Sequence, residues 1–77
     1  MTKPNEDQLK DLLVEITGKE KDIINNETKF KEDLSMDSIS VADLLASLEE
    51  DFDIIVEQEK AVGILNFGQL VEFINNL

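Results

Sequence analysis

The sequence predicts a small all-α four-helix bundle, with three main helices and one short third helix, and three observations support it. Apolar residues recur at helical spacing in three separated stretches, each opened by a residue able to cap a helix. Between them no alternating run is long enough to build a sheet, since the β-branched Asp53-Ile54-Ile55-Val56 is short and isolated. A chain of 77 residues has room for a single domain, 1–77. A domain of that size buries only roughly 60% of its unfolded surface, so its helices must pool their apolar faces in one core.

Helix 1 is placed at residues 6–17: Asn5 caps it, Gln8 stands where it can reach back, and Gly18 ends it. Leu9, Leu12, Leu13 and Ile16 fall at i, i+3, i+4 and i+7, which puts them on one face. Residues 18–37 show no sustained period and form a long connection. Asn25-Asn26 and Glu27-Thr28 are its turn formers, and Ile23, Ile24, Phe30 and Leu34 can tack it to the core. Helix 2 covers residues 38–52, with Ile39, Ala42, Leu45, Leu48 and Phe52 on the buried side and Val41 and Leu44 widening the stripe. Its start has two readings. Either Asp37 caps it, accepting from unpaired backbone N–H groups at the positive end of the helix dipole, or Ser40 caps it with Asp43 closing a capping box. Ser38 lies at the boundary in both.

Residues 53–56 read as a connector with buried anchors, and Glu57 to Val62 as a short third helix ended by Gly63. Asn66 caps helix 4, with Gln69 at the capping-box position. Phe67, Leu70, Phe73, Ile74 and Leu77 give it a stripe that reaches the last residue.

The chain has no cysteine, histidine or arginine. That removes disulfides, thiolate and imidazole metal ligands, the usual general base and bidentate anion clamps. Asp51-Phe52-Asp53 opens like a calcium loop, but Ile55, Val56 and Val62 stand where a ligand, a glycine and the closing acid are required, so no metal site is expected. A catalytic serine needs an adjacent base, so the composition argues against an enzyme and no catalytic residue is assigned. No apolar run approaches the ~20 residues that span a bilayer, and Met1 to Asn5 lacks the apolar core of a signal peptide. A cytoplasmic, monomeric protein is expected.

The net charge of −11 is unevenly placed. Residues 1–31 hold six lysines against seven acids, and residues 32–77 hold Lys60 against eleven. Such a field repels nucleic acid and anionic lipid and steers basic protein surfaces toward the second half.

Asp37-Ser38 is the junction to which these features lead. A serine hydroxyl on a rigid helix edge beside a charged surface suits modification by another protein, although a helix-start serine needs no such role. The surroundings narrow the choice. Phe30-Lys31-Glu32-Asp33-Leu34-Ser35-Met36-Asp37-Ser38-Ile39, followed by Leu48-Glu49-Glu50-Asp51-Phe52-Asp53, closely resembles the acyl carrier protein family. There the pattern is Phe, two variable or acidic residues, Asp-Leu, then Gly-x-Asp-Ser-Leu, and a helix closing in Leu-Glu-Glu-Glu-Phe-Asp. Gly18, Asn25-Asn26, Ile64 and Phe73-Ile74 also fall where that family has comparable residues.

The resemblance implies a free-standing carrier in which Ser38 holds 4'-phosphopantetheine, transferred from coenzyme A by a phosphopantetheinyl transferase (holo-carrier synthase). Acyl groups would travel as thioesters on the arm's thiol, which accounts for a carrier without cysteine. Asp37 would contact the transferase and its magnesium site. Asp43, Glu49 and Glu50 match the acids that dock basic patches on partner enzymes, which include acyltransferases, ketosynthases and acyl ligases. Met36 and Ile39 flank the serine as an apolar contact for partners, with packing inside the bundle equally open to Ile39. Phe30, Leu48, Ala61 and Ile64 match positions lining the family's acyl cavity, where ordinary core packing is the other role.

Four departures bear on the pathway. Ser35 replaces the usual Gly, Ser40 a common acid, Val56-Glu57 the usual Ile-Pro, and the Asn66-Phe67-Gly68 entry to helix 4 is atypical. They point away from ordinary fatty acid synthesis toward a polyketide, lipid-modification or other dedicated pathway. Two other readings stay open: a peptidyl, aminoacyl or aryl carrier, usually less acidic on helix 2, and an acidic helical interaction module with no prosthetic group.

Overall fold

The computed structural model describes residues 3–77. Met1 and Thr2, which open the segment read above for a signal peptide, lie outside them. The described residues form α1 (Glu6–Thr17), α2 (Ser38–Phe52), α3 (Gln58–Ala61) and α4 (Phe67–Asn75), with a 3-10 turn at Lys21–Ile23. The arrangement is the all-α one expected, and the only β pairing among these residues is an isolated bridge between Lys29 and Asn66.

Capping chemistry sets the helix ends. Asn5 accepts the Gln8 N–H at 2.8 Å while the Gln8 side chain accepts the Asn5 N–H at 2.9 Å. Asn66 and Gln69 repeat the exchange at 2.8 and 3.3 Å. Asp37 Oδ1 accepts the Ser40 N–H at 2.8 Å, which decides the start of α2 in favour of Asp37. Gly18 closes α1 in the left-handed region at φ 73°, as anticipated, and Asp53 does the same for α2 at φ 57°.

Differences from the expected boundaries have local causes. The third helix is only four residues long, because Glu57 offers it no side-chain cap and none of its residues is buried. The fourth stops at Asn75, where the Asn76 N–H turns back to the Glu72 and Phe73 carbonyls. The 3-10 turn within the first connection was not foreseen. It is tied to α1 by Lys21 Nζ, 2.9 Å from Asp11 and 3.5 Å from Asp7. The hydrogen bond that Lys21 donates to Asp11 raises the Lys21 pKa, against some desolvation and with the attraction of both carboxylates.

Hydrogen bonds rather than helix hold the rest of that connection. Thr28 is buried, its hydroxyl donating to the Ile23 carbonyl at 3.0 Å and accepting from the Asn25 N–H at 2.8 Å. Asp33 Oδ2 accepts the Lys29 N–H at 2.8 Å. The loop is laced to the entry of α4 by Phe30 N–H to Leu65 O, Phe67 N–H to Thr28 O and Gly68 N–H to Asn26 O, at 3.1, 2.9 and 2.9 Å. This lacing turns Phe30, Leu34 and Met36 inward. They join Leu9, Leu13, Ile24, Leu44, Leu48, Ile54, Phe67, Leu70 and Ile74 in one core cluster. The Cα radius of gyration is 11.2 Å. A compact chain of this length is expected near ~11.5 Å, so the long connection lies against the core instead of looping away.

Expected core positions on α2 and in the first connection are corrected, and Ile55 and Leu77 are exposed as well. Ile39 is 72% exposed and Ala42 is also exposed, because α2 turns Leu44 and Leu48 fully inward with Val41, Leu45 and Phe52 beside them. Ile39 lies five residues from Leu44, roughly 140° around the helix, and so faces outward. Ile23 is exposed, its neighbour Ile24 taking the buried place.

The atypical entry to helix 4 has a steric reason. A Cβ at Gly68 would lie 2.7 Å from the Asn26 carbonyl oxygen, a backbone atom that cannot swing away. Gly68→Ala is therefore expected to destabilise the fold by about 1–3 kcal/mol. For a domain of this size that lowers the melting temperature by roughly 4–8 °C per kcal/mol. A melting curve identical to the parent's would remove this explanation.

Candidate functional site

Ser38 is the first residue of α2 and is exposed. The turn that delivers it runs through Met36, whose N–H donates to the Phe30 carbonyl at 3.0 Å, and through Ser35 at φ 54°. A left-handed backbone is where a glycine lacks the Cβ penalty that a serine meets, so Ser35 keeps a conformation glycine would adopt more readily. Asp37 then caps the helix and leaves the Ser38 side chain outside the capping bonds.

The Ser40 backbone N–H is the main reason the Asp37 carboxyl sits below its ordinary pKa. The Ser40 hydroxyl and Ile39 N–H add to it, against a small desolvation effect. A carboxyl whose folded pKa is depressed stabilises the fold above its unfolded pKa of about 4 and loses that contribution as pH falls through the lower folded value. Asp37→Asn retains a capping oxygen but cannot titrate. The parent is expected to melt higher than Asp37→Asn at neutral pH, with the gap closing below about pH 4. A gap independent of pH would contradict this.

Beside Ser38 a pocket of about 300 Å³ opens between α2, α3 and the two loops laced together beneath α4. Phe30 and Lys31 come from the first loop, Val41, Ala42 and Leu45 from α2, Gln58, Ala61 and Val62 from α3, and Ile64 and Leu65 from the segment before α4. Its wall is mostly apolar. A recess of about 20 Å³ lies deeper, among Phe30, Val41, Leu44, Leu45, Ala61, Ile64 and Leu70. That is space for about one water, so a longer apolar chain would enter only if these side chains moved apart. The wall from α3 buries no residue and so is held loosely.

Asp43, Glu49 and Glu50 are exposed on α2. At 100° per residue they share with Ser38, Ile39, Ala42 and Ala46 an arc of roughly 140°. The outward face of α2 thus places three carboxylates around a small apolar strip that begins at the serine.

A family model described as a phosphopantetheine attachment site matches residues 7–74, from the first turn of α1 into the last of α4. The chain belongs to that family. Carrier domains of this kind hold 4'-phosphopantetheine covalently, serve as carriers rather than catalysts, and meet phosphopantetheinyl transferases and biosynthetic enzymes. The described residues fit such a group, since an exposed hydroxyl stands at the rim of a mostly apolar pocket. Among the described residues, no helix of this carrier domain is long and apolar enough to cross a membrane.

Of the residues expected to line an acyl cavity, Phe30, Ala61 and Ile64 are brought together in the pocket. Leu48 is not: it is fully buried in the core beneath and lines neither the pocket nor its recess. Met36 is also corrected. At 3% exposure it offers partners no surface, because its N–H bond to Phe30 folds the loop so that the side chain enters the core. Lys31, Val41, Ala42, Leu45, Gln58, Val62 and Leu65 were not read as site residues. Val41 and Leu45 shared a recognisable stripe, but nothing local indicated that α3 and Leu65 would face them.

Proposed function

We propose that this carrier domain is an acyl carrier protein in which Ser38 receives 4'-phosphopantetheine from coenzyme A. The observation that carries the reading is the exposed Ser38 hydroxyl at the first position of a capped helix and at the rim of an apolar pocket. The Asp33-Leu34 and Asp37-Ser38 pairs stand around it in the order the resemblance requires. Ser38 Oγ gives up its proton and forms one bond to phosphorus, while the bond from that phosphorus to the departing adenosine bisphosphate breaks. The chain supplies no adjacent base, so the proton passes to the transferase or to water. Asp37, ionised beside the serine, contacts the transferase at its magnesium site. When bound, the arm supplies the thiol on which an acyl group is held as a thioester.

Two features favour acyl over peptidyl or aryl cargo: the apolar pocket beside Ser38, and the exposed Asp43, Glu49 and Glu50, which suit enzymes with basic docking patches. Ile39 gives those partners an apolar contact among the charges. Ser35 and Ser40, on either side of the attachment point, support a dedicated polyketide or lipid pathway over general fatty acid synthesis.

The test is to incubate the protein with coenzyme A, magnesium and a broad-specificity phosphopantetheinyl transferase, weigh it intact and map the added mass to a peptide. Mass on the Ser38 peptide is the expected result. No added mass would favour an acidic interaction module without a prosthetic group.

A further inference from the structure

We propose that Lys31 binds the phosphodiester formed at Ser38 and so fixes the root of the arm at the pocket rim. This rests on Ser38 being the attachment residue, and the experiment below separates the two claims. Among the described residues lining the pocket, Lys31 is the only charged one, and it shares that lining with Ser38. A phosphodiester at Ser38 brings one negative charge to a place already next to the Asp37 carboxylate, on a chain of net charge −11. The positive end of α2 offsets part of that charge, and a nearby side-chain cation would offset more. Lys31 can supply the cation. The backbone just before it is anchored by the Phe30 N–H bond to Leu65 O, and its ammonium carries three donors on a flexible stem. The ion pairs found among the described residues run through Lys21, near the other end of the same connection, and do not involve Lys31. Phe30 and Lys31 thus divide the work at one edge of the pocket, the ring forming apolar wall and the ammonium meeting the anion.

Lys31 is exposed, so the contact is modest and screened by salt. The proper readout is the environment of the two groups. The protein, Lys31→Ala, Lys31→Arg and, as a control, Lys29→Ala are each loaded from coenzyme A, checked by intact mass and examined by phosphorus NMR and by side-chain NMR of labelled lysine. The Lys31 side-chain resonances are expected to shift on loading and those of Lys29 to stay. The phosphorus resonance is expected to move in Lys31→Ala and to remain near the parent position in Lys31→Arg and Lys29→Ala. These differences should collapse at high salt, where the screening length falls to about 3 Å. Identical phosphorus resonances in the parent and Lys31→Ala, with Lys31 indifferent to loading, would overturn the proposal. Failure of the parent to gain mass would overturn the Ser38 reading instead.

Discussion

Ser38→Ala is expected to fold as the parent does and to gain no mass from coenzyme A and a phosphopantetheinyl transferase, whereas the parent gains one arm per chain. The fold should survive because the Ser38 side chain is exposed and the cap of α2 is made by Asp37. Alanine also has the best helix propensity, so melting should stay level or rise slightly. Loss should be complete because the neighbouring hydroxyls are differently placed. Ser35 sits on a left-handed turn before the helix, and Ser40 is half-buried with its N–H and hydroxyl engaged by Asp37. Equal addition to Ser38→Ala, or transfer to Ser40, would sink Ser38 as the attachment residue.

The helices were legible wherever local chemistry determined them. Asn5 with Gln8 and Asn66 with Gln69 announced two capping boxes, and Gly18 a left-handed end. Those bonds close within a few residues and need no tertiary partner. The outward face of α2 was harder to read, because Ile39, Val41, Ala42, Leu44, Leu45 and Leu48 are apolar over too wide an arc to single out one buried side. Packing against α1 and into the shared core chose Leu44 and Leu48, which left Ile39 outside. Met36 is misplaced for a related reason. Its position depends on how residues 26–36 are laced to the entry of α4, a contact between segments far apart in the chain. No local signal marks Lys31 as a site residue, since only the folded chain brings it to the same pocket as Ser38. The unusual Gly68, by contrast, was visible as a departure, and its cause was the close approach of Asn26.

The acidic face supports the second large effect. Replacing Asp43, Glu49 and Glu50 together by Asn, Gln and Gln is expected to slow association with a basic partner, such as a phosphopantetheinyl transferase, by about tenfold or more at low salt. The three carboxylates are exposed and take no part in the ion pairs found among the described residues, so removing their charge breaks no contact that holds α2. Glu49 and Glu50 also lie near the C-terminal end of α2, where negative charge opposes the helix dipole. The variant should therefore melt no lower than the parent, which separates docking from folding. Because exposed charges act mainly on encounter, the loss should appear in the association rate, while kcat at saturation stays close to the parent's. The two proteins should converge as salt rises and the screening length shrinks to about 3 Å near 1 M. Equal rates at low salt would remove these acids from the docking surface. A deficit that salt does not change would mean that they act through specific contacts at the partner's surface and not through their field.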